Sequence, residues 1–538
     1  MKRRAFVAIG AGAAIAGARR EARAIGSNGV GGTTTTQDFE LAEATIAGLQ
    51  EGMNAGRFTS RSLVERYLGR IAANDASGPG LHAVLEQNPD ALANAAQLDA
   101  ERRAGRVRGP LHGIPLLIKD NVDTADRMHT SAGSLALETS IAPRDAFIVE
   151  RLRAAGAVLL GKTNMSEWAN FRSSHSSSGW SGRGGQCRNP YVLDRSPSGS
   201  SSGTGAAIAA NFAAAGIGTE TDGSVTSPAA ACALVGLKPT VGLVSRAGII
   251  PIAHSQDTAG PMTRTVADTA VLLNAMAGED PRDRVTRGRA AHATDFTQAL
   301  GADSLRGARI GVARKRYTGY NDRVDALFHA ALAVLREHGA VIVDPADVVT
   351  EDHLKSFEET TVLLYEFKAD LNAYLAGLGS AAPVKSLADI IAFNERETAR
   401  ELPWFGQELL VRAQAKGPLT SLEYRTARAA CRRWSRTLGI DAVMTRHRLD
   451  AIVCPTQAPV WPIDLVNGDC FGGNCTTPAA VAGYPHITVP MGDALGLPVG
   501  LSFFGRAWSD ARLIGFAYTY EQATMLRRPP RFLKAVEL

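Results

Sequence analysis

The sequence has few of the residues that bind metals or build disulfide frameworks. Six cysteines occur in 538 residues, and no two of them form a C-x-x-C pair. There is no H-E-x-x-H motif either, and the histidines show no ligand spacing. We therefore expect no metal site.

One pair of cysteines lies close together in the chain. Cys470 and Cys475 flank the short loop 471–474, and this spacing leaves two alternatives open. The pair either closes a disulfide after export or remains as two free thiols. Cys232 lies in a run of small residues and is expected to be a buried free thiol.

Most of the chain also lacks an excess of charge of either sign. The formal net charge is +5, and the first 24 residues carry all of it, with six basic side chains against Glu21. The remaining sequence is neutral, which removes the main argument for nucleic-acid binding. Apolar residues at 45% and charged residues at 21% are ordinary for a globular protein and exclude a disordered or coiled-coil chain.

No apolar run reaches the roughly 20 residues of a membrane-spanning helix. Residues 1–24 instead have the three parts of an export signal in order. A basic segment, Lys2-Arg3-Arg4, is followed by an apolar run over 5–18 and by Ala22-Arg23-Ala24, which resembles a signal-peptide cleavage site. Adjacent arginines before such a run resemble a twin-arginine signal. We therefore expect a periplasmic or secreted protein without stable membrane insertion, the alternative being a basic helix with no targeting role. Residues 25–37 are predicted to form a polar linker.

Short apolar runs alternate with amphipathic helices in the remaining sequence. Helices are predicted over 41–49, 60–73 (with Ser60 as N-cap) and 323–337. The predicted buried strands are 114–118, 157–160, 310–313, 340–343 and 451–454. This alternation predicts an α/β fold with a central sheet covered by helices on both faces. We expect a single domain over 38–538, with a helical peripheral region at about 347–435.

A tract rich in glycine and serine spans about residues 173–205 and precedes the apolar run Ala206–Ala215. A helix that is apolar all round is buried, so we expect the tract to lie inside a domain. Its segment 199–203 matches the nucleophile-elbow motif G-x-S-x-G, with Ser201 at the centre. That motif requires a preceding strand. Pro190 and Pro197 argue against one, so this interpretation is rejected.

A second hydroxyl-rich turn, Thr219–Ser224, follows the apolar step 215–218. Gly223 would let the backbone present consecutive N–H groups, as an oxyanion hole requires. Lys119 ends the apolar, strand-like segment Gly113–Lys119. Burial would favour its neutral amine and make it a general base for a serine. Taken alone, the turn is better interpreted as an ordinary polar turn. Taken alone, Lys119 is better interpreted as a strand-end lysine whose amine reaches solvent.

Together these segments resemble the amidase signature family over roughly residues 38–535. The motifs that carry the resemblance are Gly113–Asn121, Gly161–Trp168, Ser196–Pro239, Gly260–Arg264, Ala482–Pro490 and Gly496–Leu501. Several separated motifs in one order are more specific than any one of them. The resemblance implies the amidase signature fold, with a large mixed central sheet, and cofactor-free hydrolysis of amides.

The resemblance further implies a Ser–Ser–Lys catalytic triad. Ser224 matches the acyl nucleophile, Ser200 the bridging serine that follows a cis peptide bond, and Lys119 the buried base. The implied oxyanion-binding groups are the backbone N–H groups of Thr221, Asp222, Gly223 and Ser224. The implied reaction hydrolyses a carboxamide, either a peptide C-terminal amide or a small amide, to an acid plus ammonia or an amine.

The sequence departs from common family members around the nucleophile. They read Asp-x-Gly-Gly-Ser-x-Arg, whereas this chain has Glu-Thr-Asp-Gly-Ser-Val-Thr over 220–226, and Ser202 replaces a usual glycine. With the segment 166–172, this pattern resembles the bacterial peptide amidase branch, which releases ammonia from peptide C-terminal amides. The expected partner is therefore a peptide or small-molecule amide, and the oligomeric state is left open.

Two alternative functions remain. One is a glutaminyl subunit of a tRNA-dependent amidotransferase, a cytosolic member of the same family. The export signal and the neutral charge of the mature chain argue against it. The other is a binding homologue that has lost catalysis, and the presence of all three triad residues argues against that.

Overall fold

The computed structural model describes residues 39–288, 292, 294–354, 356–379 and 382–537. The proposed export signal over 1–24 and the linker over 25–37 lie outside the described residues. The described chain forms one compact unit. None of its helices is long and apolar enough to cross a lipid bilayer.

A mixed sheet of eleven strands runs through the described chain, in the order β1-β3-β2-β6-β8-β7-β12-β13-β11-β9-β10. Strands β2, β3 and β6 are parallel neighbours, as are β9, β10 and β11, and the remaining pairs are antiparallel. β4 and β5 form a separate hairpin-like pair. The strands are β1 (Val84–Gln87), β2 (Pro115–Lys119), β3 (Val158–Thr163), β4 (Trp180–Ser181), β5 (Gly185–Gln186), β6 (Ala215–Glu220), β7 (Val235–Lys238), β8 (Thr258–Thr263), β9 (Arg309–Val312), β10 (Val341–Val343), β11 (Ala451–Pro455), β12 (His486–Ala494) and β13 (Leu497–Phe504).

The inner strands are buried on both faces. Every residue of β2, β3, β6, β7, β8, β11 and β13 is buried. Since successive side chains of a strand point to opposite faces, both faces of the sheet must be covered. The predicted α/β sheet with helices on both faces is confirmed.

Helices make up much of the remaining described chain. The α-helices are α1 (Ile46–Asn54), α2 (Ser60–Asn74), α3 (Ala91–Arg103), α4 (Phe147–Ala154), α5 (Ser202–Ala209), α6 (Thr226–Ala231), α7 (Val266–Met276), α8 (Asp322–Glu337), α9 (Thr350–His353), α10 (Ser356–Gly377), α11 (Leu387–Arg396), α12 (Thr398–Glu401), α13 (Glu408–Gln414), α14 (Leu422–Arg432), α15 (Asp441–His447), α16 (Thr477–Ala482) and α17 (Asp510–Thr524). Short 3-10 turns lie at Leu135–Leu137, Glu167–Asn170, Arg284–Thr286 and Phe296–Ala299, and Arg433–Ile440 is a π-helical segment.

The helices α9–α14 lie within the region expected to be helical and peripheral. Apolar side chains from this region share a buried cluster with Trp168, Phe171, Ile250 and Ile252. This cluster packs the helical region against the loops that end the central strands, so the region contributes to the surroundings of the site described below.

Two local predictions were wrong. The N-cap of α2 is Thr59, not Ser60: the Thr59 hydroxyl accepts the Ser62 N–H, and the Ser62 hydroxyl accepts the Thr59 N–H. The apolar run Ala206–Ala215 is not one helix, because α5 ends at Ala209 and Asn211 adopts a left-handed φ of 62°. Small apolar side chains suit a buried helix and a buried strand equally, so periodicity could not locate this break.

Candidate active site

Two neighbouring parallel strands bring the predicted base and the predicted nucleophile turn to one edge of the sheet. β2 pairs with β6 in parallel, with Ile118 opposite Ile217. Lys119 is the last residue of β2, and the turn 221–224 begins directly after β6. The carboxyl ends of adjacent parallel strands are a common position for ligand sites in α/β sheets.

Lys119 is fully buried and has three polar neighbours. Its Nζ lies 2.8 Å from Ser200 Oγ, 3.1 Å from the Thr219 carbonyl and 3.0 Å from Thr219 Oγ1. Burial lowers the pKa of this amine from 10.5 to about 7, although the charges of Glu220 and Asp257 act in the opposite direction. A lysine in this state is available as a proton acceptor near neutral pH.

Ser200 and Ser201 have different environments. Ser200 follows a cis peptide bond with Gly199, as the resemblance implied, and its hydroxyl faces Lys119. The Ser201 hydroxyl instead donates to the Thr219 carbonyl at 3.1 Å. The Ser201 N–H donates to the Ser224 carbonyl at 3.1 Å, which holds the serine tract against the nucleophile turn. The described segment 187–200 forms no regular strand ahead of Ser201, which agrees with the rejection of the elbow.

The turn 221–224 leaves backbone donors free. Among the described residues, no backbone or side-chain acceptor takes the N–H groups of Asp222, Gly223 or Ser224. Gly223 has a φ of 78°, a left-handed conformation that favours glycine. The Glu220 carboxylate accepts the next two N–H groups, from Val225 at 2.7 Å and Thr226 at 2.9 Å. The first N–H groups of α6 are thus hydrogen-bonded to Glu220, and the N–H groups that precede them remain available to bind an oxyanion.

Side chains of the turn are held away from these donors. The Asp222 carboxylate accepts from Thr476 Oγ1 at 2.6 Å and Thr477 Oγ1 at 2.7 Å. Burial raises the pKa of Asp222 above its usual range. Thr221 Oγ1 donates to the Asp257 carboxylate at 2.6 Å. The side chains of Thr221 and Asp222 are therefore occupied by these contacts, and the backbone N–H group of Asp222 is not occupied by any described residue.

A cavity of about 610 Å³ opens beside Ser200 and Thr221. Part of its lining is apolar, over 249–252, and part is charged, at Arg246, His254 and Asp370. A cavity of this size accommodates substantially more than a carboxamide group. The acyl part of a substrate can therefore lie in contact with both kinds of wall.

The sequence reasoning missed two residues that shape the site. Thr219 binds Lys119 through its carbonyl and its hydroxyl, and Asn121 Nδ2 donates to Thr219 Oγ1 at 3.0 Å. Both residues lie inside segments that the motifs cover, but a motif does not show which of its polar side chains face one another.

The open question about the cysteine pair has a structural answer. Cys470 is an exposed free thiol and Cys475 a buried free thiol. Cys475 lies in the same buried cluster as Cys454, on β11. Cys232 is a buried free thiol, as expected.

Comparisons with known proteins show that the chain is similar to amidases. A family model described as Amidase matches residues 62–514. A probable amidase from Arabidopsis thaliana is 42% identical over 505 residues, covering 92% of this chain and 93% of that protein. A glutamyl-tRNA(Gln) amidotransferase subunit from Symbiobacterium thermophilum is 36% identical, covering 87% and 94%. The solved structure of native peptide amidase from Stenotrophomonas maltophilia is 53% identical with a TM-score of 0.88, covering 92% of this chain and 99% of that one.

Proposed function

Since this chain belongs to the amidase family and is an amide hydrolase, we propose that it cleaves the C-terminal amides of peptides by a Ser–Ser–Lys mechanism. Lys119 is the base, Ser200 the proton carrier and Ser224 the nucleophile. The observation that carries the proposal is the 2.8 Å contact between the buried Lys119 amine and the Ser200 hydroxyl. This contact supplies a base without any histidine.

The acylation step carries a proton from Ser224 to the leaving nitrogen through the relay, forms the bond between Ser224 Oγ and the amide carbon, and breaks the carbon–nitrogen bond. Neutral Lys119 takes the proton of Ser200 as Ser200 takes that of Ser224, and Ser224 Oγ attacks the amide carbon. The carbonyl oxygen becomes an oxyanion that accepts from the free N–H groups of the turn 221–224. The proton then returns through Ser200 to the amide nitrogen. The carbon–nitrogen bond breaks and ammonia leaves.

Deacylation reverses the same path. A water molecule gives its proton through Ser200 to Lys119 and attacks the ester carbon of the acyl-enzyme. The carbon–oxygen bond to Ser224 then breaks, and Oγ regains its proton from the relay. The products are the peptide acid and ammonia, and the enzyme returns to its starting protonation state.

The choice of peptide amides as substrates rests on the cavity and on the relatives. A lining that combines the apolar segment 249–252 with polar side chains suits an aminoacyl group better than a short aliphatic amide. A related peptide amidase was solved in complex with the competitive inhibitor chymostatin, and it is 54% identical to this chain. The amidotransferase relative is more distant, at 36% identity.

Labelling with a fluorophosphonate, followed by peptide mapping of the adduct, tests the nucleophile. We expect the adduct on Ser224 in the wild-type protein and none in Ser224→Ala. The matched control is Ser201→Ala, which removes a neighbouring hydroxyl that bonds to the backbone, and it should still be labelled at Ser224. An adduct on Ser201 would restore the elbow mechanism. A folded wild-type protein without any serine adduct would favour an inactive homologue.

Substrate competition tests the acyl group. Amidated dipeptides should release ammonia with a higher kcat/KM than free glutamine or short aliphatic amides. A preference for glutamine would instead support the amidotransferase alternative. Ammonia is measured with a coupled enzymatic assay, and the peptide acid by chromatography.

A further inference from the structure

Three consecutive loop residues bind three carboxylates on one face of α10. The carboxylates are Glu359, Glu366 and Asp370, called here the carboxylate row. Their spacings of seven and four residues place them on the same side of a helix. The pairs are His254 N–H and Nδ1 with Asp370 Oδ2 (2.9 and 2.8 Å), Ser255 N–H with Glu366 Oε2 (2.9 Å), and Gln256 Nε2 with Glu359 Oε1 (2.9 Å).

The same loop holds the first residue of the nucleophile turn. Gln256 Nε2, besides donating to Glu359, lies 3.3 Å from the Thr221 carbonyl. The next residue, Asp257, accepts from Thr221 Oγ1 at 2.6 Å and from the backbone N–H groups of Ile252 and Ala253 at 2.8 Å each. Thr221 is therefore fixed through its carbonyl and through its hydroxyl by two consecutive loop residues.

The contacts from the loop help to fix the turn, because three of the turn's own N–H groups form no hydrogen bond among the described residues that would hold it. The N–H groups of Asp222, Gly223 and Ser224 have no acceptor within the described chain, so they contribute nothing to holding the turn in place. An oxyanion hole works only if its donors lie about 3 Å from the developing charge. A displacement of about 1 Å in an active site can cost about a hundredfold in rate.

We propose that Gln256 and Glu359 are positioning residues, through which α10 sets the orientation of the oxyanion turn. The inference rests on the proposed role of Ser224 and its turn. Glu359 bonds to Gln256, Gln256 bonds to the Thr221 carbonyl, and the backbone of Thr221 leads into the free donors. α10 also lines the substrate cavity through Asp370, Ala373 and Tyr374. The helix that contacts the substrate is thus also the helix that orients the turn.

The protonation state of Glu359 guides the choice of variants. Burial, and then the neighbouring charge of Asp222, raises the pKa of Glu359 to about 8. Glu351 adds to this in the same direction, and the Gln256 hydrogen bond opposes it. At neutral pH the side chain is therefore mostly a neutral acid that accepts from Gln256. Glu359→Gln keeps the size, the neutrality and an acceptor oxygen, whereas Glu359→Ala removes the acceptor.

The experiment compares kcat, KM and the rate of fluorophosphonate labelling at Ser224. We expect Glu359→Ala and Gln256→Met each to lower kcat and the labelling rate about tenfold or more, with KM changed less than twofold. Glu359→Gln should stay within about twofold of wild type in both. The matched control is Glu358→Ala, the same substitution one position earlier, outside the row, and it should behave as wild type. Unfolding temperatures identify variants that fail for structural reasons.

A double variant shows whether Glu359 and Gln256 affect activity through one chain of contacts or independently of each other. If Glu359 acts through Gln256, the pair Gln256→Met with Glu359→Ala should lose no more activity than the worse single variant. Wild-type kcat in both single variants, or a Glu359→Gln as impaired as Glu359→Ala, would overturn the inference while Ser224 is still labelled. A wild-type adduct on another serine would overturn the proposed function, and this inference with it.

Discussion

The protonation of Lys119 should set the acid limb of the pH–rate profile. Burial lowers the pKa of this amine to about 7, and only the neutral form can accept the Ser200 proton. At pH 5 about one molecule in a hundred is then in the active form, against nearly all molecules at pH 9. We expect kcat/KM for an amidated dipeptide to fall about tenfold per pH unit below neutrality and to reach a plateau above about pH 8.

A second group near the site, Asp257, also titrates, and its effect on the pH–rate profile must be distinguished from that of Lys119. Burial raises the pKa of Asp257, which holds Thr221, to about 6. Its protonation would add a further loss of activity below pH 6. The variant Asp257→Asn removes that titration, and because the Asp257 charge raises the Lys119 pKa, the limb should persist but move to lower pH, at a lower overall rate. Persistence of the limb in this variant assigns it to Lys119.

Direct variants complete the test. Lys119→Ala should lower kcat about 10²–10⁴-fold, the range of general-base catalysis, without unfolding the protein. Lys162→Met is the matched control, because Lys162 is also fully buried with a lowered pKa, but its Nζ donates to the Val122 carbonyl at 2.6 Å and to Thr130 Oγ1 at 3.0 Å rather than to a serine. It should keep the wild-type pH profile. A flat wild-type profile down to pH 5, or high activity in Lys119→Ala, would refute the assignment of the base.

Three further predictions concern the turn, the core and export. Gly223→Ala should lower kcat/KM at least tenfold in steady-state assays, because φ is 78° and an added Cβ would lie 3.0 Å from two hydroxyl oxygens; wild-type activity would contradict the assigned turn geometry. Arg172→Met should reduce the free energy of unfolding in urea by about 3–5 kcal/mol, since it leaves Glu167 buried without its ion-pair partner 2.6 Å away; a change below about 1 kcal/mol would show that the pair contributes little. Replacing Arg3 and Arg4 by lysines should retain the precursor in the cytoplasm, as seen by cell fractionation, if the proposed twin-arginine route is correct; normal export would point to another route.

The sequence predicted the site best where a reactive residue type and the end of a predicted strand could be located in the same segment. Lys119 could be placed at a strand end because an apolar run stops there, and the turn 219–224 could be placed because it follows the apolar step into β6. Two parallel strands then bring these ends together without any further assumption. The Asn211 break was not predictable, since the residues on both sides of it are apolar and suit a buried helix and a buried strand equally.

The carboxylate row shows why the rest of the site stayed hidden. Acidic residues spaced by seven and four on a helix ordinarily form its solvated face, and nothing local contradicts that interpretation. In the fold, however, Glu366 is fully buried, and a buried carboxylate requires donors or a charged partner. Glu366 accepts from Tyr424 on α14 at 2.7 Å and from Ser255 in the loop. The loop donors lie 103, 111 and 116 residues before the three carboxylates that they contact. The contact between these acidic residues and the loop that holds the nucleophile turn is therefore visible only in the fold, where Glu366 is buried and the other two carboxylates are partly exposed.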